Sequence, residues 1–468
     1  MLFSIFDGQA CLVDPRGGTE FGLDEFAQKI TARAEELKHS GIGHGRSVVV
    51  AQPAPLDYLR DIFALWEVGA MAVAVNPSIT TDERKNVLEA TQAAFILDDT
   101  PLVASNNETH SNPGPLDADA PALTLMTSGT TGKPKGIVHT QRSLAARVAL
   151  NIAAIGKGDL ARSLSILPMH FGHGLIGNVF TPMAAGGRLY LWPQPSIEEI
   201  RTFGPFIDEH KMTFMSSTPS FWNIATRLSA KPEHHFKRVH VGSAPLSIEQ
   251  WHKIAEFTGT QRVFNMYGMT ETANWIGGAC LEDKGAADGL VGHAWGGALA
   301  LLDDQGEIIR EGSGEVLIST PSMMMGYFGM DDATKAAFHG DWLRTGDIGR
   351  IDADGQLTLV GRIKHEINRG GVKVPAEEID MLLERHPAIK EACAFGLPDP
   401  VAGEAVAAAI VLGEHVEAAS IREWCGERCR SEAVPSRLFV IDAIPRNDRG
   451  KIVRDHVRET ALASGSGE

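Results

Sequence analysis

No apolar run in this chain of 468 residues is long enough to span a bilayer. Residues 1–7 have no basic stretch ahead of an apolar core, so a secretory signal is not expected. Cysteine is scarce. Five residues, an odd number without framework spacing, fit a reducing compartment better than a disulfide scaffold. Cys425 and Cys429 stand one helical turn apart, but no second pair or nearby histidine completes a zinc pattern. Positive charge is also short: 43 Lys and Arg face 59 Asp and Glu, a net charge of −16. That argues against nucleic acid or an anionic membrane as the main partner. These absences describe a cytoplasmic protein with no nucleic-acid partner and no membrane partner. Internal repeats and low-complexity domains are missing too.

What remains is an ordinary globular composition, 43% hydrophobic and 22% charged, with length for roughly two to four lobes. Leu23, Phe26, Ala27, Ile30, Ala34 and Leu37 recur at helical spacing, with Gly41 as a stop. Strands are expected at 48–50, 71–75 and 94–97, with helices around 59–66 and 83–90 between them. Such alternation implies parallel pairing with helical crossovers. Residues 105–121, rich in Asn, Asp, Pro and Gly, read as a surface loop. A helix at 140–152 leads to a strand at 163–166 and a loop at 168–174. Further strands are expected at 188–191, 213–216, 238–241 and 262–266. From about residue 289 short β segments take over, and beyond 365 they mix with helices at 376–385 and 419–429. The tail, 463–468, reads as disordered.

The strongest local signal lies at 123–136, LTLMTSGTTGKPKG. A buried strand runs into a turn where Gly129, Gly132 and Gly136 let backbone approach a ligand. Thr127, Ser128, Thr130 and Thr131 add hydroxyl donors, and Lys135 adds a cation. Such a nest suits a polyphosphate. It is not the Walker loop, since no lysine here is followed by Ser or Thr.

Residues 127–136 resemble the phosphate-loop signature of the adenylate-forming superfamily, which includes acyl-CoA synthetases. Four further signatures follow in the family's order. The segment FNMYGMTE at 264–271 resembles the Y-G-x-T-E motif. Tyr267 offers a flat face for adenine, Thr270 a donor for the α-phosphate, and Glu271 a hard oxygen ligand for Mg²⁺. Asn265 and Met266 belong to the same nucleotide-binding segment, and Gly242, Ser243 and Ala244 resemble the one lining adenine's other side. Asp347, in WLRTGDIG, matches the residue that accepts from the ribose hydroxyls, and Arg362 matches a second ribose contact. Lys364 matches the hinge. Arg369, Gly370 and Gly371 match the loop that meets CoA. Lys451, in PRNDRGK, matches the lysine that enters the site for adenylation, where a cation stabilises the charge developing as a carboxylate attacks the α-phosphorus.

The resemblance implies an α/β fold. A large N-terminal AMP-binding domain, 1–361, has parallel or mixed sheets and a small β-rich subdomain. A hinge at 362–364 joins it to a small α+β domain, 365–468. It implies ATP-dependent activation of a carboxylic acid to acyl-AMP, with Lys451, Thr270 and Glu271 catalytic, Mg²⁺ as cofactor, and transfer to CoA. A carrier-protein pantetheine or an amine is the alternative acceptor, and a non-catalytic nucleotide-binding protein the alternative of another class. His170, Phe171, Gly172, His173, Gly268 and Met269 are expected at the acyl pocket. His170 precedes Phe171 where the family has the aromatic first, which leaves open which of the two gates the pocket. His173 to Gly177 and Asn368 to Gly371 look most like ligases for small acids, oxalate-type enzymes among them.

Overall fold

The computed structural model describes residues 6, 8–100, 117–127, 135–446 and 451–465. By contacts the chain divides into two compact units. One comprises Met1–Ala286, Gly292–Ala298 and Ser319–Leu343; the other comprises Ala287–Val291, Leu299–Ile318 and Arg344–Glu468. Residues 362–364, expected as a hinge, lie inside the second unit. That unit also takes in part of the β-rich stretch beginning near 289.

In the first unit the expected alternation builds two sheets. An eight-stranded sheet runs Trp275–Cys280, Val263–Gly268, Arg238–Val241, Phe214–Ser217, Arg162–Ser165, Arg188–Leu191, Cys11–Asp14 and Thr19–Gly22. Its inner strands are parallel, and both edge strands pair antiparallel. A six-stranded sheet holds Phe95–Leu97, Ser47–Val50, Met71–Ala74 and Pro121–Thr127 in parallel, then Lys135–Thr140 and Gly326–Tyr327 antiparallel. Both edges of the eight-stranded sheet are reached by short connections from their neighbours, which permit antiparallel pairing, whereas Gly326–Tyr327 reaches the six-stranded sheet from far along the chain.

Between the sheets lies one apolar cluster. The helix Leu23–His39 turns Leu23, Phe26, Ile30, Ala34 and Leu37 into it, on the face its spacing predicts. Phe63 and Trp66 of the helix Pro55–Glu67 meet Phe180 there at ring separations of 5.6 and 5.7 Å. Trp66 Nε1 donates to Ala122 O at 2.6 Å, anchoring the strand Pro121–Thr127.

Phe180 belongs to a segment not expected from the sequence. The loop predicted over 168–174 ends at Gly172, and a π-helix spans His173–Phe180. It buries Leu175, Ile176 and Val179 and needs tight packing at its start. A Cβ on Gly174 would lie 2.0 Å from Pro168 O, and one on Gly177 would lie 2.8 Å from Trp275 Cη2. Because the Gly174 contact is with backbone, Gly174→Ala should destabilise the protein by about 3 kcal/mol, the upper end of overpacking costs. A urea midpoint unchanged from wild type would contradict this packing.

In the second unit residues Asp347–Ile351 of the strand Trp342–Ile351 pair antiparallel with Leu357–Arg362. A separate five-stranded sheet contains Glu366–Arg369, Val372–Pro375, Ile389–Asp399, Gly403–Leu412 and Arg437–Val440. Alternate residues of its long strands face opposite ways, as a period of two requires. Ala392, Ala394, Val406 and Ala408 meet the helices Ala376–Glu384 and Ala418–Gly426. Cys393, Phe395, Ala407 and Ala409 meet Val457 and Ala461 of a helix, Arg454–Ser464, that the sequence reading did not anticipate.

Candidate functional site

The first unit carries most of the motif residues at the ends of its strands. Thr127 closes one strand and Lys135 opens the next, directly opposite it. Ser128, Gly129, Thr130 and Thr131 lie outside the described residues. Lys135 Nζ stands 5.1 Å over the ring of Tyr327. Tyr327 Oη donates to Glu271 Oε1 at 3.0 Å, and Met324 N donates to Glu271 O at 2.7 Å. Burial, then the Glu271 charge, push the phenol well above its ordinary value, so Tyr327 stays a neutral donor. Tyr327 thereby links Lys135 to the candidate metal ligand. No motif marks it; only its strand's pairing with Lys135–Thr140 brings it there.

Thr270 and Glu271 occupy a short 3-10 turn, Thr270–Thr272. Thr272 Oγ1 is 3.0 Å from Met269 O and 2.9 Å from Asn274 O, and His139 Nε2 is 2.7 Å from Thr270 O. Since a carbonyl only accepts, Nε2 carries the proton, leaving Nδ1, 3.3 Å from Ser143 Oγ, without one. Burial pushes the His139 imidazole from 6.5 down to about 4. Between those values the unfolded chain binds the extra proton, so stability falls as pH drops from 6.5 towards 4. The slope from this group approaches about 1.4 kcal/mol per pH unit. Thermal unfolding across that range should be less acid-sensitive in His139→Gln; an identical slope would contradict the neutral assignment.

Behind this turn, Tyr267 and Asn265 are buried in the strand Val263–Gly268. Met266 packs with Ile155, Leu160 and Trp275, placing its side chain in an apolar cluster. Gly268 is exposed where backbone of Asn274 and Trp275 would crowd a Cβ, and Gly172 similarly abuts Ala273 O. Met269 is half-buried. His170 is buried with its ring 3.9 Å from that of half-buried Phe171.

His173 connects three segments. Its Nε2 is 2.6 Å from Ser216 Oγ and its Nδ1 2.7 Å from Ser243 Oγ. Ser243 holds φ at 69°, an uncommon conformation for a residue with a side chain, and stands between Gly242 and half-buried Ala244. Trp275 lies edge-on to His173 at 5.3 Å and to His240 at 4.8 Å. Arg238 Nε donates to His240 Nε2 at 2.8 Å, and its guanidinium covers Phe264 at 3.7 Å. Arg147 donates to Trp275 O and, at 3.2 Å, to Trp295 O. Burial lowers both arginines to about 10, so both remain charged at neutral pH. Sequence reasoning missed Ser216, Arg147 and Arg238, since isolated residues of these types carry no spacing signal.

The second unit carries the rest. Asp347, 8% exposed, accepts from Arg362 Nε at 2.6 Å, and its own N–H donates to Thr345 Oγ1. Ile363–His365, with exposed Lys364 at its centre, forms one 3-10 turn. Gly370 and Gly371, at φ 62° and 88°, make the two-residue tip of a hairpin, a conformation that favours glycine at both positions. Arg369 Nη1 donates to the carbonyls of Ser431 and Glu432. Lys451 is exposed; next to it Ile452 bridges to Arg446. Among the described residues no group of three or more His, Cys, Asp or Glu could hold a metal ion, and no helix is long and apolar enough to cross a membrane.

The family model of AMP-binding enzymes matches residues 6–328, and that of the AMP-binding enzyme C-terminal domain matches 378–451. The oxalate–CoA ligase of Arabidopsis thaliana is 34% identical, over 78% of this chain and 72% of its own. The sulfoacetate–CoA ligase of Cupriavidus necator is 32% identical, over 76% and 70%. In fold, the chain resembles ATP-bound MatB from Rhodopseudomonas palustris, with a TM-score of 0.86, 24% identity and 98% of each chain covered.

Proposed function

The chain belongs to the family of AMP-binding enzymes, and from that premise we propose that it is an ATP-dependent acid–CoA ligase for a short carboxylic acid bearing a second anionic group. In the first half-reaction a carboxylate oxygen attacks the α-phosphorus of ATP, the bond to the bridging oxygen breaks, and acyl-AMP and pyrophosphate form. In the second, the CoA thiol attacks the acyl carbon, AMP leaves, and a thioester remains.

Thr270 donates to the α-phosphate and Lys135 faces the polyphosphate. Asp347 and Arg362 take the ribose, and Tyr267 takes the adenine. The carboxylate of Glu271, aimed by Tyr327, fits Mg²⁺ held mainly by phosphate and water oxygens, as that ion prefers. When bound, the metal neutralises phosphate charge. Lys451 supplies the cation for adenylation. Residues beyond Lys364 then bring Gly370 and Gly371 into use for thiol transfer, and excluding water between the steps protects the mixed anhydride.

The substrate class rests on His173. Each ring nitrogen meets a serine hydroxyl, which fixes the direction of the imidazole. The charged guanidinium groups of Arg147 and Arg238 bond carbonyls, a threonine hydroxyl and an imidazole near Trp275. A positive interior of this kind favours an anionic acyl tail. Two relatives named for oxalate and sulfoacetate agree with that charge pattern.

The test is acid-dependent pyrophosphate release across short dicarboxylic, sulfonated, fatty, aromatic and amino acids, with and without CoA. Release with the dianionic acids, and their conversion to thioesters, is the expected result. Release unaffected by CoA would move the acceptor to a carrier protein or an amine. Preference for an uncharged chain would overturn the substrate class.

A further inference from the structure

One carboxylate in the second unit touches three segments on which the proposed reaction draws. Glu377 stands in the first turn of the helix Ala376–Glu384, its side chain 15% exposed. Its Oε1 meets Nδ1 of His365, the residue after Lys364, at 2.5 Å. The same oxygen lies 3.1 Å from Arg454 Nη2, three residues beyond Lys451. Oε2 is buried without a hydrogen-bond partner among the described residues, and a Cβ on Gly361 would come within 2.9 Å of it. Burial works to raise this carboxyl, but the His365 bond and the Arg454 charge hold it down at about 2, so it is ionised.

We propose that Glu377 is a positioning residue for Lys451, tying the turn at Lys364 to the segment that bears the lysine. Arg454 is the rigid end of the tether. It grips Asp380 through both Nη atoms, at 3.2 and 2.5 Å, and donates to Ala394 O at 2.7 Å. His365 is the hinge-side end, since it adjoins the residue about which the chain turns. A buried carboxylate oxygen with no donor is costly. A turn at Lys364 that parts Glu377 from Gly361 lets water reach Oε2, while Oε1 keeps His365 and Arg454. Glu377 thus travels with the lysine segment and eases its release from the preceding strand. This inference rests on the reading that Lys451 serves adenylation.

The experiment compares wild type, Glu377→Gln and Glu377→Ala as full chains in three assays. They are ATP–pyrophosphate exchange, thioester formation from preformed acyl-adenylate, and amide hydrogen exchange over 451–458. Glutamine keeps the shape and an acceptor for His365 but removes the charge facing Arg454. Its pyrophosphate exchange should fall about 10-fold in kcat with KM for ATP little changed, because small misplacements of a catalytic group are expensive. Thioester formation should stay within about twofold, and hydrogen exchange over 451–458 should quicken while the helix Leu23–His39 is unaltered. Alanine should exaggerate the same split. Equal losses in both half-reactions, or unchanged pyrophosphate exchange, would overturn the proposal. If wild type shows no acid-dependent pyrophosphate exchange, the proposed function fails, and hydrogen exchange alone then decides whether the tether exists.

Discussion

Lys451→Ala should lose adenylation by about 10²-fold or more while still converting preformed acyl-adenylate to thioester. As the acid's oxygen closes on the α-phosphorus, negative charge builds on the attacking and leaving oxygens, and an ammonium there stabilises the transition state above the ground state. Removing it leaves binding of ATP and acid nearly intact, so kcat falls and KM changes little. Thiol attack on the finished adenylate does not build that phosphoryl charge. ATP–pyrophosphate exchange, and thioester formation from synthetic adenylate, measure the two steps separately. Equal failure in both would sink the assignment of Lys451 to the first half-reaction.

The largest stability effect is expected from Arg454→Met, a loss of about 3–5 kcal/mol. Arg454 is 11% exposed and Asp380 13%, and they meet bidentately. Burial already pushes the Asp380 carboxyl up against the opposing pull of Arg454. Without the guanidinium, Asp380 either stays charged in an apolar setting or takes up a proton, and both are costly. Replacing Asp380 as well removes one of the two carboxylates that lose the guanidinium, while Glu377 keeps His365, so Arg454→Met combined with Asp380→Leu should be more stable than Arg454→Met alone. Denaturant midpoints decide this. A double variant no better than the single would mean that packing of the long side chain, rather than its charge, dominates.

Fold class was legible because two signals agreed: strands separated by helical spacing, and five motifs in one order. The helix Leu23–His39 could be read from apolar periodicity alone. The helix Arg454–Ser464 could not, since few of its residues are apolar, and Val457 and Ala461 are the ones it buries. Motif residues such as Thr270, Asp347 and Lys451 announce themselves because their chemistry depends on local order. Tyr327 and His139, which set Glu271 and Thr270 in place, do so through long-range pairing that no local pattern encodes. The π-helix escaped notice for a related reason: HGLIGNVF contains two glycines, and only tertiary packing against Pro168 and Trp275 makes them assets.

That π-helix also says something about ancestry. Widened turns of this kind are rare and concentrate at functional sites. A widened turn holds one residue more than an α-helix supplies at the same height, so a single-codon deletion between His173 and Phe180 would relax the segment towards α geometry. Because the wider turns already absorb the surplus residue, the segments on either side would keep their bearing, whereas a deletion from an ordinary α-helix would swing them by about 100°. With Phe180 locked in the core, His173 would stay aimed at Ser216 and Ser243. The imidazole's aim therefore tolerates the loss of one codon here, and the π-helix marks a place where chain length can change without turning the ring away.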